Sequence, residues 1–212
     1  MSRNKYPEET ERRILEVSRR LFAEKGYEHT TIQDIVDALG MSKGAVYHHF
    51  KSKTDIYDRI TDEYYGRQLW AQNLGALPGD TALERARSLF TFSYTDPEKQ
   101  ELDGLVPNMT ADPRFLELTF RSTLSSSAPM LCSLMEAGNA DGSMHIARPK
   151  EFAESFMLLV NMWVGNCAAS KADFLEKLRF LQSFSDSMGF PVLNDALFST
   201  AAAYYDAVMA HA

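Results

Sequence analysis

The chain has 212 residues, 45% of them hydrophobic and 24% charged, with a formal net charge of -7. That composition belongs to an ordinary folded protein of one large domain or two small ones, and it excludes disorder throughout. The longest nearly apolar run, Phe156 to Ala169, is interrupted by Asn161 and Asn166 and is too short for a bilayer; the charged start MSRNKYPEETERRILE lacks a signal-peptide core; Cys132 and Cys167 have no zinc-type spacing. The expectation is a cytoplasmic protein with reduced thiols, no membrane contact, no cofactor and no metal.

Apolar residues at Ile14, Val17, Leu21 and Phe22 predict a first helix from about Pro7 to Lys25, stopped by Gly26. A second begins near Thr31, with Asp34 three residues on as the partner in a cap; it buries Ile32, Ile35, Val36 and Leu39 and ends at Gly40. After the turn Gly40-Met41-Ser42, Ser42 caps a third helix running to about Phe50, with Val46 and Phe50 inward. Lys43, Tyr47 and Lys51 then share its outer face, beside Gly44 and His48. Ser52 and Asp55 cap a fourth helix, with Lys53 in its first turn. Two helices joined by a tight glycine turn, the second displaying cations and an aromatic, form a helix-turn-helix.

Charge singles out the same place. Residues 1–60 hold eleven Lys and Arg against ten Asp and Glu, whereas the remainder holds eleven against nineteen. From Gly40 to Lys53 there are three lysines, two histidines, a tyrosine and no acid. A short helix of that kind suits a polyanion, and in a DNA major groove lysine meets phosphate or guanine while an aromatic ring meets a thymine methyl. Neighbouring helical residues point about 100° apart, so His48 and His49 do not share a metal easily.

The span from about Glu11 to Tyr57, with LFAEKGYEHTTIQDIVDALGMSKGAVYHHFKSKTDIY at its centre, resembles the DNA-binding domain of TetR-type transcriptional regulators. The Phe-Ala-x-x-Gly-Tyr end of the first helix, the Thr-Thr-x-x-x-Ile opening of the second, the Gly-x-Ser-Lys-Gly turn and the Tyr-x-His-Phe-x-x-Lys close follow in the family's order. The resemblance implies that Thr31, Tyr47, His49 and Lys53 lie near phosphates, and Gln33, Lys43, Gly44 and Ala45 near base edges. Ser42 and His48 complete the candidate DNA-binding set, although the family often has an aromatic residue where His48 stands. Gly44 would let backbone approach the groove, Gln33 would pair with adenine, Lys43 would donate to guanine, and Lys53 with the fourth helix's N-terminus would hold an anion.

Beyond residue 60, breaks at Leu74 to Asp80, Asp96-Pro97, Gly104 to Pro113, Gly138 to Pro149, Ser170 to Asp173 and Gly189 to Pro191 predict about six more helices and no strand. The fold class is all-α: an N-terminal helix-turn-helix domain over 1–52 and a larger helical ligand-binding and dimerisation domain over 53–212. The Asp-Pro pairs at 96 and 112 are helix starts. Pro129 falls inside a helical stretch from Pro113 to Gly138 and should kink or split it. Met130, Met135, Phe115 and Phe120 beside that kink make a plausible pocket wall, with Tyr64, Trp70, Phe90, Tyr94, Met109, Met157 and Trp163 as candidates from other helices, although each is more often plain core.

The acidic balance favours a neutral or cationic effector over an anionic one. Stripes at Phe152, Phe156, Val160, Trp163 and Cys167, at Phe174, Leu178 and Leu181, and at Leu193, Leu197, Tyr204 and Val208 either face their own core or pair across a two-fold axis. With the resemblance, these features imply a ligand-responsive regulator, a repressor by preference, binding a palindromic double-stranded DNA operator as a homodimer, with the fourth helix as lever between effector and DNA. The rival readings are an architectural DNA-binding protein without effector and an all-helical enzyme. The chain has no nucleophile elbow, phosphate loop or zinc spacing to support the second.

Overall fold

Caps bound the two short helices that follow the first. The computed structural model describes residues 7–67, 73–105 and 113–210; in it α1 spans Pro7–Lys25, α2 Ile32–Leu39, α3 Lys43–His49 and α4 Lys53–Arg67. At the start of α2 the Thr31 side chain accepts from the Asp34 N–H while the Asp34 carboxylate accepts from the Thr31 N–H, a reciprocal capping box. Its end is Gly40, at φ 62°, where the N–H groups of Gly40 and Met41 turn back to the carbonyls of Asp37 and Val36. That closure needs a left-handed residue, which glycine supplies at no steric cost. Ser42 caps α3 by accepting from the Ala45 N–H.

One expectation on this segment fails. Phe50 is extended (φ -132°, ψ 131°), so α3 stops at His49 and Lys51 does not share the outer face of Lys43 and Tyr47. Asp55 draws it away: the Lys51 N–H donates to that carboxylate at 2.9 Å, and Ser52 accepts from the Asp55 N–H at 3.0 Å, which starts α4.

Ile14, Phe22, Ile35, Val46 and Ile56 are buried at the centre of the head. Around Tyr27 the rings of Phe22, Tyr57 and Phe115 lie 5.1, 6.0 and 5.1 Å away, mostly edge-on, the arrangement aromatic quadrupoles favour. The same core takes in the inward face of α4 through Ile60 and Tyr64, and Leu102, Leu105 and Phe115 from later in the chain.

In the body, α5 (Ala82–Thr95) starts at a second capping box, Thr81 with Glu84, and α6 (Pro97–Gly104) at Asp96 with Pro97 in its first turn. Asp112, like Trp70 and Met109, lies outside the described residues. Helix α7 (Pro113–Ser122) passes through a π turn at Thr123–Ser127 into α8 (Ala128–Asp141). Pro129 thus neither ends the helix nor stands in a regular interior; the wide turn before it absorbs the missing N–H and the ring's clash with the preceding carbonyls. The helix also runs on past Gly138, a predicted break, to Gly142 at φ 78°. Gly138 has a packing reason, since a Cβ there would come within 2.6 Å of the Met144 side chain.

Helix α9 (Pro149–Leu158) opens into a second π turn, Leu159–Val164, and resumes over Gly165–Cys167; α10 is Lys171–Ser187 and α11 Asp195–Ala210. The two π turns are joined by a 3.0 Å hydrogen bond from Asn161 Nδ2 to the buried Thr123 Oγ1. Among the described residues there is no strand, and six helical rods follow α4, so the fold is all-α. Phe152, Phe156, Phe174, Leu178, Leu181, Leu193 and Leu197 face the body's own core, Val160, Trp163 and Tyr204 pack at its edge, and Cys167 is exposed.

Candidate nucleic-acid interface

Val46, fully buried, fixes which way α3 faces. Lys43, Gly44, Tyr47 and His48 consequently point to solvent, with Ala45 and His49 half-buried at the sides. Tyr47 is 45% exposed, and Lys43 Nζ stands 5.9 Å from its ring centroid, a cation and an aromatic held together on an open surface. The rings of His48 and His49 meet edge-on at 5.5 Å. A Cβ on Gly44 would find nothing within 4 Å, so nothing in the chain's own packing calls for a glycine that costs a helix about 1 kcal/mol against alanine.

The start of α2 lies in an ordered polar frame. Thr31 Oγ1 is 2.6 Å from Asp34 Oδ2, and Lys25 Nζ donates to Asp34 Oδ1 at 2.7 Å. The Lys25 ammonium, followed by the Thr31 hydroxyl and N–H, holds the Asp34 carboxyl well below the usual carboxylate range. Gln33 is exposed, with its Nε2 donating to Asp37 Oδ1 at 2.8 Å. Lys53 Nζ donates to the carbonyl of Tyr27, in the turn that precedes Thr31. The part Tyr27 plays as the hub of this corner is not legible from the sequence, where it reads as one more aromatic at a helix end.

The residues proposed for an effector pocket are scattered, with Phe115 in the head's core, Met135 in the body's and Trp70 outside the described residues. Tyr64 is buried in the head's core, Phe90 in the body's core 6.1 Å from the Phe156 ring, and Met157 in that same core. Tyr94 packs on Tyr204 at 5.1 Å, Trp163 on Phe180 at 5.5 Å, and Met130 at the core's edge, while Phe120 is 47% exposed and Met109 falls outside the described residues. Pro129 does line an open cleft of about 210 Å³, with Ala128, Cys132, Lys150 and Glu154. None of the named candidates is part of that lining.

An outward-facing second helix, seated by a buried anchor on a capped first helix and carried by an all-α body, defines a helix-turn-helix DNA-binding regulator. Residues 14–60 match the family model of bacterial regulatory proteins, tetR family. The HTH-type transcriptional repressor KstR2 of Rhodococcus jostii is 32% identical over 156 residues, covering 68% of this chain and 72% of that protein. KstR2 of Mycolicibacterium smegmatis is 27% identical over 139 residues, covering 61% and 65%. A TetR-family transcriptional regulator from Pectobacterium atrosepticum shares the fold, with a TM-score of 0.60 and 17% identity over 88% of this chain and 97% of that one. The chain belongs to the TetR family and is a DNA-binding transcriptional regulator. Among the described residues no helix is long and apolar enough to cross a membrane.

Proposed function

We propose that this regulator is a ligand-responsive cytoplasmic repressor that binds a palindromic operator as a homodimer and catalyses no reaction. The observation that carries the DNA half of this reading is the outer face of α3: Gly44 has open space where a side chain would stand, between exposed Lys43 and Tyr47. A glycine unexplained by internal packing fits close approach of a groove edge. Lys43, Ala45 and Gln33 then take base edges, Thr31, Tyr47, His49 and Lys53 take phosphates, and Ser42 and His48 flank them. The sign of regulation follows the relatives, which are named repressors.

In this reading residues 1–52 form the DNA-binding domain, joined at the DNA by Lys53 from the start of α4, and the rest of the 53–212 domain holds effector and partner. The effector is apolar and neutral or cationic, in keeping with the acidic body. The partner surface is the aromatic face where Phe180, 57% exposed, stacks on Phe184 and meets Trp163 edge-on. So large an exposed ring, on a helix whose inward face already buries Phe174, Leu178 and Leu181, suits a second copy of the chain.

Selection of duplexes from a random pool tests the DNA reading: an inverted repeat should emerge, bound roughly a thousandfold tighter than random DNA. A pool that stays random would contradict it. Sedimentation tests the dimer, which Phe180→Asp should split into a species near the chain mass of 23.9 kDa.

A further inference from the structure

Helix α6 has only eight residues, too few to be stable alone, so its neighbours decide where it lies. One face belongs to the head. Arg19 of α1 reaches Glu98 at 2.8 Å and both oxygens of Glu101 at 3.1 and 3.3 Å, the Tyr57 hydroxyl of α4 donates to the Leu102 carbonyl at 3.0 Å, and Leu102 and Leu105 sit in the head's core. A shift of α6 must therefore move α1 and α4 with it.

The other face is held from the far end of the chain. Lys99 and Asp103, one turn apart, pair with side chains only 14% and 28% exposed. Into this pair the Tyr204 hydroxyl of α11 donates at 2.7 Å to Asp103 Oδ2, while its ring lies 5.7 Å from Lys99 Nζ and 5.1 Å from the Tyr94 ring. A hydroxyl on a half-buried carboxylate is a directional, charge-assisted bond, stronger than an exposed ion pair. Helix α11 is itself tied to α10 by Lys171 with Asp206 at 2.5 Å and Phe174 against Tyr205 at 5.3 Å.

We propose that Tyr204 is a positioning residue: through Asp103 it fixes α6, and through α6 the angle of the DNA-binding head, so that the last helix sets the spacing of the two heads of a dimer. The inference rests on the dimeric operator-binding reading. It makes α11 a control point separate from the contacts α4 makes with DNA, and anything that lifts α11 from α6 would loosen both heads.

The test uses the full chain and two duplexes, the inverted repeat selected by the wild-type protein and the same duplex cut to one half-site. Head spacing matters only on the first. Tyr204→Phe, which keeps the ring and removes only the hydroxyl, and Asp103→Asn should each weaken binding to the inverted repeat about tenfold, the scale of one lost hydrogen bond to a charged group, and leave the single half-site within about twofold. Tyr205→Phe, one residue along and facing Phe174, should change neither. Unchanged binding to the inverted repeat in both variants overturns the proposal, and so does an equal loss on both duplexes, which would mark a general defect of the head. A wild-type protein with no preference for two half-sites over one would instead overturn the dimer reading, and this inference with it.

Discussion

The ammonium of Lys53, at the start of α4, lies 3.9 Å from the centroid of the Tyr27 ring and donates to the Tyr27 carbonyl, so the fourth helix holds the turn that leads into the second. The Tyr27 hydroxyl shares a 3.1 Å hydrogen bond with Thr54, the next residue of α4, which closes the corner from the other side. A partly buried cation on an aromatic face is worth about 1 kcal/mol, and its hydrogen bond to a carbonyl a similar amount. Lys53→Ala should therefore lower head stability by about 1–2 kcal/mol in urea unfolding. If the residue also meets phosphate, affinity falls on every DNA sequence and the salt dependence flattens by about one unit of slope. Weaker binding at an unchanged unfolding midpoint would mean that the tether contributes nothing.

Gly44 makes the opposite kind of prediction, a variant that folds better and works worse. Since a Cβ meets nothing within the chain, Gly44→Ala should raise the unfolding free energy by about 1 kcal/mol through helix propensity alone. On the operator the added methyl occupies the space the groove edge needs, and affinity measured by fluorescence anisotropy should drop tenfold or more, about 1.4 kcal/mol. Full affinity in the alanine variant would remove Gly44 from the interface.

The head was far more legible in the sequence than the body, and the reason lies in what local chemistry can encode. Thr31 with Asp34, Gly40, Ser42 and Ser52 with Asp55 each act within four residues of themselves, and each has the structural role its spacing implies. Lys51 leaves the helical periodicity of α3 because the helix ends at His49 and the Lys51 N–H bonds Asp55 instead, a competition that spacing alone does not encode. The π turn at Leu159–Val164 has no proline or glycine to announce it; its Asn161 side chain bonds Thr123, thirty-eight positions earlier. Lys99 and Asp103 carry the signal of a pair one turn apart, but nothing local ties them to Tyr204. Phe90 and Met157, two of the pocket candidates, are buried in the body's core, because bulky apolar side chains fill cores before they line cavities.

Gln33 must let go of Asp37 before it can read a base. The 2.8 Å bond between them is an exposed contact one helical turn apart, worth about 0.5 kcal/mol, and Asp37 adds a negative charge next to the proposed DNA surface. Asp37→Ala frees the amide and removes the repulsion, so operator affinity should rise about threefold, with the larger part of the gain at low salt where phosphate repulsion is least screened. Gln33→Ala should instead relax base preference in a selection experiment while binding to random DNA stays the same. A loss of affinity in Asp37→Ala would show that the carboxylate orients Gln33 in the bound state rather than restraining it.

The Asp34 cap fixes a pH dependence with a definite sign. Its carboxyl is held below the usual range by Lys25 first and by the Thr31 hydroxyl and N–H after it, whereas in the unfolded chain it titrates near pH 4, about the ordinary aspartate value. A depressed folded value favours the ionised form, so the contribution to stability is fully present above the unfolded value and is lost as pH falls toward the folded one. Asparagine at this position keeps an oxygen for the Thr31 N–H but has no charge for Lys25. Asp34→Asn should therefore unfold at lower urea than wild type at pH 7, and the gap between the two midpoints should narrow steadily below about pH 4. Added salt should shrink the gap at pH 7 as well, because the Lys25 side chain is 47% exposed and its charge is screened. A gap that stays constant from pH 7 to pH 2 would mean the cap acts through hydrogen bonding alone, with the Lys25 contact contributing no linkage to protons.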